Sequence, residues 1–232
     1  MIGFDDDPGM GLYCLLTMEA LDNIQKRIHA AATRTNRDPR SITMIAVTKT
    51  VPASRIREAA ACGVRNVGEN RLQEAISKID ELPDLGLTWH FIGHIQTNKA
   101  KKVAQTFEWI HSVDRTDVAD KLGVAAVKPL SILIEVKLHE EPGKSGAALF
   151  ELPSLIDRIR RHDKLKLKGL MAVPPFLENP EDVRPYFRQL RELATQYELP
   201  ELSMGMTHDF EVAIEEGATM VRIGTGLFGS RK

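Results

Sequence analysis

The sequence predicts an α/β fold, a closed (β/α)8 TIM barrel in one domain. Two observations carry this. Apolar, β-branched runs alternate with amphipathic helical patterns about eight times along 232 residues, in units of about 20 to 30 residues. No Gly-rich dinucleotide fingerprint follows the first strand, which weakens the competing open, doubly wound sheet.

The elements follow in order. From Met18 to about Thr35, Leu21, Ile24, Ile28 and Ala31 recur at helical spacing among polar residues, and Asn36-Arg37-Asp38-Pro39 stops that helix. The run 42–49 then reads as a strand buried on both faces, ending on Lys49. Pro52 and Ala53-Ser54 open a helix through about Cys62, where Gly63 is placed to cap its C-terminus. Further strands are expected at 64–68, 88–92, 107–113, 131–136, 166–172, 201–204 and 220–223. Helices are expected between them at 71–79, 98–105, 116–122, 149–161, 181–197 and 209–216, the last ended by Gly217. A helical turn after Gly224-Thr225-Gly226 closes the chain.

Composition narrows the function. With 43% hydrophobic and 27% charged residues the chain is an ordinary globular protein. A net charge of −1 argues against a nucleic-acid-binding role. The clusters Lys99-Lys101-Lys102 and Arg158-Arg160-Arg161 read as solvated helix faces. Two cysteines, Cys14 and Cys62, without CxxC or His at zinc spacing indicate neither a disulfide framework nor a metal site. No segment reaches the length of a membrane span, and Asp5, Asp6 and Asp7 stand where a signal peptide needs positive charge, so a cytoplasmic protein is expected. Residues 1–17 read as an extension outside the fold, with 18–232 as the domain.

In a barrel, residues after each strand share one mouth. Lys49 at a strand end also reads as a side chain reaching solvent, but in an apolar cup its amine becomes a nucleophile towards an aldehyde or ketone. The Gly224-Thr225-Gly226 turn offers backbone N–H groups and a hydroxyl suited to phosphate, where barrels commonly bind it. Thr207 lies in the preceding strand-end loop. A lysine and a phosphate cradle across one mouth fit a phosphorylated aldehyde, and pyridoxal 5′-phosphate is the candidate.

The stretches Ala46-Val47-Thr48-Lys49, Gly68-Glu69-Asn70, Trp89-His90-Phe91-Ile92-Gly93, Lys144-Ser145-Gly146, Gly169-Leu170-Met171-Ala172, Leu202-Ser203-Met204-Gly205-Met206 and Met220-Val221-Arg222-Ile223-Gly224-Thr225 occur in this order. Together they resemble the pyridoxal phosphate homeostasis protein family, whose fold is like the N-terminal barrel of alanine racemase. The resemblance implies that Lys49 holds the cofactor as an internal aldimine, that Thr207, Gly224 and Thr225 bind its phosphate, that Arg222 faces the pyridine nitrogen, and that Asn70 and Ser203 line the pocket. It carries no catalytic residue. Met206-Thr207-His208-Asp209 departs from the family's Met-Ser pattern; threonine keeps the hydroxyl, and His208 is read as facing solvent.

An arginine stays charged, so beside the ring nitrogen it disfavours protonation there and weakens the ring as an electron sink. That suits a carrier better than a transaminase. Alanine racemase takes a catalytic tyrosine from a second domain, whereas Tyr13, Tyr186 and Tyr197 lie at no expected strand end. The expectation is therefore a monomeric pyridoxal phosphate-binding protein of vitamin B6 and amino-acid homeostasis, without turnover of its own and with pyridoxal phosphate-dependent client enzymes as possible partners. The alternatives are a pyridoxal phosphate-dependent racemase and a cofactor-free Schiff-base aldolase.

Overall fold

In the computed structural model, residues 8–140, 143 and 145–229 are described. Glu141, Pro142 and Lys144, the last belonging to the Lys144-Ser145-Gly146 stretch, lie outside the described residues. Eight parallel strands pair in chain order, and the last pairs with the first. They are β1 (Thr43–Val47), β2 (Asn66–Glu69), β3 (Thr88–Phe91), β4 (Trp109–Val113), β5 (Leu130–Glu135), β6 (Leu165–Met171), β7 (Glu201–Met206) and β8 (Met220–Ile223). The β8–β1 pairing, Thr43 opposite Met220 through Ala46 opposite Ile223, closes the barrel and rules out the open sheet.

Helices cover the outside: α1 (Pro8–Arg34), α2 (Ala53–Ala61), α3 (Leu72–Glu81), α4 (Ala100–Thr106), α5 (Thr116–Ala125), α6 (Leu152–Arg160), α7 (Arg184–Gln196), α8 (Phe210–Glu215) and the one-turn α9 (Thr225–Phe228). The expected helices at 98–105, 149–161 and 181–197 each begin as a 3-10 turn before the α-helix proper. Pro180 opens one such turn, with the Asn179 side chain capping the Glu181 N–H. Helix α1 starts ten residues before Met18, and within its early part Thr17 is buried, with Arg55 donating towards its hydroxyl.

Strand alternation separates two apolar bodies. Ile45, Leu133, Met171 and Met220 form one cluster. The other side chains of the strands pack against the helices, where Phe107, Phe187 and Phe210 are fully buried. The first cluster fills part of the barrel, and it shares the interior with buried polar side chains, among them His90, His111, Ser203 and Arg222.

Candidate functional site

Strand β1 delivers Lys49 to the barrel mouth. The Thr48 N–H bonds the Gly68 carbonyl and extends the β1–β2 ladder by one residue. The chain then turns: the Val51 N–H returns to the Thr48 carbonyl at 2.9 Å, and Thr50 takes a left-handed φ of 64°. A positive φ at the third position of a four-residue turn belongs to a type II geometry, which puts Lys49 at its first corner. There Lys49 lines a cleft of about 350 Å³ with Val47, Pro52, Arg55, Gly224 and Thr225. The lysine and the glycine turn thus meet in one cavity.

Thr207 lies against the same turn. The Gly226 N–H donates to its hydroxyl at 3.3 Å, and a Cβ on Gly226 would lie 2.9 Å from Thr207 Cγ2. Helix α9 is a single turn. Its macrodipole is correspondingly small, so affinity for an anion would rest on N–H groups and hydroxyls. His208 is exposed, bonds the carbonyls of Leu177 and Glu178, and packs on Phe176. It is tied to the loop after β6.

Deeper in the barrel, Arg222 and Ser203 are bonded to each other. Arg222 is buried; its Nη1 donates to the Ser203 hydroxyl and to the Ser203 carbonyl, both at 2.7 Å, and its Nη2 donates to the Ala172 carbonyl at 2.9 Å. Those bonds use three of the five guanidinium N–H groups. The Nε–H and one Nη2–H have no acceptor among the described residues. Burial lowers the Arg222 pKa to about 10, with Asp209 and Glu135 opposing the shift. It therefore remains a cation at neutral pH. Glu135, on β5, is pushed up to about 7 by burial, with Asp114 adding to the rise and Arg222 opposing it.

Two histidines that sequence reasoning passed over continue from Ser203. Its hydroxyl meets His111 Nδ1 at 2.9 Å, His111 Nε2 meets His90 Nδ1 at 3.0 Å, and His90 Nε2 meets Asn66 Oδ1 at 3.1 Å. The Asn66 carbonyl oxygen can only accept, so His90 donates to it from Nε2 and accepts at Nδ1 from His111 Nε2, and His111 Nδ1 accepts the Ser203 proton while the Ser203 oxygen accepts from Arg222. Both imidazoles then carry their proton on Nε2, and the chain ends on the Asn66 carbonyl oxygen. Burial holds His90 down at about 3 and His111 well below its usual value, so both are neutral. The signal in the sequence was a histidine inside each of two apolar strands; only strand ends had been considered.

Asn70 stands apart from these groups. It lines a second cleft, of about 570 Å³, with Arg71, His94, Gln96 and Lys99, and its Oδ1 is buried without a hydrogen-bond partner among the described residues. Its backbone packs so tightly on Gly93 that a Cβ there would lie 2.2 Å from the Asn70 carbonyl oxygen. No group of three or more His, Cys, Asp or Glu suited to a metal ion occurs among the described residues.

The family described as "Alanine racemase, N-terminal domain" matches residues 20–232. The pyridoxal phosphate homeostasis protein of Aquifex aeolicus is 48% identical over 223 residues, covering 92% of this chain and 98% of that protein. The chain belongs to the pyridoxal phosphate homeostasis protein family. The family member from Pseudomonas aeruginosa is 45% identical over 218 residues, covering 92% of this chain and 95% of its own. PipY of Synechococcus elongatus, solved with PLP bound, superimposes with a TM-score of 0.77 at 40% identity, over 89% of this chain and all of PipY. Alanine racemase from Corynebacterium glutamicum shares the fold, with a TM-score of 0.67 at 16% identity over 92% of this chain and 61% of that enzyme.

Proposed function

We propose that this chain binds pyridoxal 5′-phosphate in the cleft between Lys49 and the Gly224–Thr225 turn, and serves its homeostasis. The observation that carries this is the shared cleft: an amine and a set of N–H and hydroxyl donors line one cavity. The donor set fits the group. Lys49 would supply the amine for the cofactor's aldehyde. Thr225 and Thr207 supply hydroxyls, and the glycines let the backbone approach the phosphate. When bound, the cofactor supplies an aldehyde for amine condensation and a ring that withdraws electrons when its nitrogen is protonated.

Arg222 keeps its charge, and its remaining donors would hold the ring nitrogen as an acceptor. Ser203 fixes Arg222 and so acts on the pocket through it. Asn70 lines a separate cleft after β2, and its place as a pocket residue rests on the family resemblance. A single domain of residues 18–232 carries the site, supported by the family match from residue 20. In this reading the protein is a cytoplasmic, monomeric carrier that passes the cofactor to client enzymes. This reading draws on the names and the bound ligand of the relatives.

The test is spectroscopic. Purified protein mixed with pyridoxal phosphate acquires a visible band, and borohydride fixes the label on Lys49; Lys49→Ala shows neither. An unchanged spectrum in Lys49→Ala overturns the assignment. Racemisation of amino acids that is lost in Lys49→Ala replaces the carrier with the racemase.

A further inference from the structure

The turn that presents Lys49 is built from unfavourable parts. The left-handed corner at residue 50 suits glycine or asparagine, yet it is occupied by threonine, a β-branched residue that resists that conformation. Such a corner persists only where its surroundings over-determine it. The constraints come from outside the barrel, on the face of β1 and β2 opposite the cleft.

There Lys78 of α3 is buried, and its ammonium donates to three acceptors: the Thr48 carbonyl at 2.6 Å, Glu69 Oε1 at 2.7 Å and Glu74 Oε1 at 2.6 Å. All three ammonium hydrogens have a partner. Glu74 Oε1 also accepts the Thr50 N–H, and Glu69 Oε1 accepts the Thr48 hydroxyl at 2.6 Å. The residues before and after Lys49 are therefore gripped by one Glu–Lys–Glu cluster, in which Glu69 and Lys78 are buried and Glu74 is half-buried. One turn of helix spaces Glu74 and Lys78, and Glu69 ends the strand next to β1.

We propose that Lys78, Glu74 and Glu69 are positioning residues for Lys49: they hold the left-handed turn at Thr50 and so fix the direction in which the Lys49 amine enters the cleft. This rests on the reading of Lys49 as the cofactor's attachment point. None of the three residues lines the Lys49 cleft. Their effect reaches the cofactor through the backbone. A cluster that merely stabilised the fold would act on unfolding and leave the orientation of the bound chromophore unchanged.

The experiment uses the full chain and pyridoxal phosphate as probe. Borohydride trapping of the wild-type protein followed by mass spectrometry first locates the label; a label away from Lys49 overturns the attachment reading itself, independently of the cluster. With the label on Lys49, Lys78→Met and Glu74→Gln are compared with wild type by pyridoxal phosphate affinity and by visible circular dichroism per bound cofactor. Both are expected to bind about tenfold more weakly or worse, with reduced visible ellipticity, because small misplacements of a reacting group are costly. Glu74→Gln keeps the shape of the side chain and carries the test where Lys78→Met does not fold. Thr50→Gly, which adopts the left-handed corner without strain, is expected to restore most of the lost ellipticity in both backgrounds. Affinity and ellipticity within twofold of wild type in Glu74→Gln, or losses that Thr50→Gly leaves untouched, overturn the proposal.

Discussion

The Asn66 carbonyl oxygen sets the direction of the row of hydrogen bonds that ends on it, since it can only accept. The direction it imposes on Ser203, His111 and His90 is testable: nitrogen-15 NMR should report both imidazoles as Nε2–H tautomers with no change between pH 8 and 5. Because His90 titrates at about 3 folded instead of 6.5, the folded state binds fewer protons between those values. Its contribution to stability is present above pH 6.5 and is lost as the pH falls towards 3. Replacing the middle of the chain, His111→Phe, leaves the Ser203 proton without an acceptor and His90 Nδ1 without a donor. At about 1–3 kcal/mol for each unmet buried group, unfolding in urea should show a loss of roughly 2–6 kcal/mol.

At the scale of the element, the helix ends were the most readable part of the sequence. Gly63 and Gly217 each close a Schellman motif: the Gly63 N–H reaches the Ala60 carbonyl and the Val64 N–H reaches Ala59, while Gly217 and Ala218 reach Ile214 and Ala213. Asn36 ends α1 in the same way, through Thr33 and Ala32. Glu198 does so after α7, and nothing in a glutamate announces a left-handed residue. The corner at Thr50 was hidden for the same reason: it is imposed by α3, some thirty residues later in the chain. Lys49, Gly224 and Thr225 were legible because strand ends share a mouth. His90, His111 and Glu135 were not, because which face of a strand looks into a barrel is decided only on closure. Gly169 on β6 illustrates a glycine whose reason lies in packing. A Cβ there would lie 1.8 Å from the carbonyl oxygen of Glu201, its partner on β7. Gly169→Ala should therefore lower the unfolding free energy by about 3 kcal/mol, the upper end of ordinary overpacking, measured by urea titration.

Across the whole molecule, the barrel interior carries the permanent cation of Arg222 and a carboxyl, Glu135, that ionises near neutrality. Folded Glu135 takes its proton at about 7 rather than 4.5, so between those values the folded state binds more protons than the unfolded one. Its contribution thus favours folding below pH 4.5 and falls away as the pH rises through 7. Glu135→Gln should remove this slope and raise the stability of the cofactor-free protein at pH 8 by about 1–3 kcal/mol relative to pH 5. Parallel urea titrations of both proteins at the two pH values measure it. The bonded row from Asn66 at the start of β2 to Arg222 near the mouth has the look of a proton wire, yet conduction needs every link able to take a proton and pass one on. Arg222 takes none at neutral pH. The row is an insulator, and no proton passes along it to a molecule in the mouth.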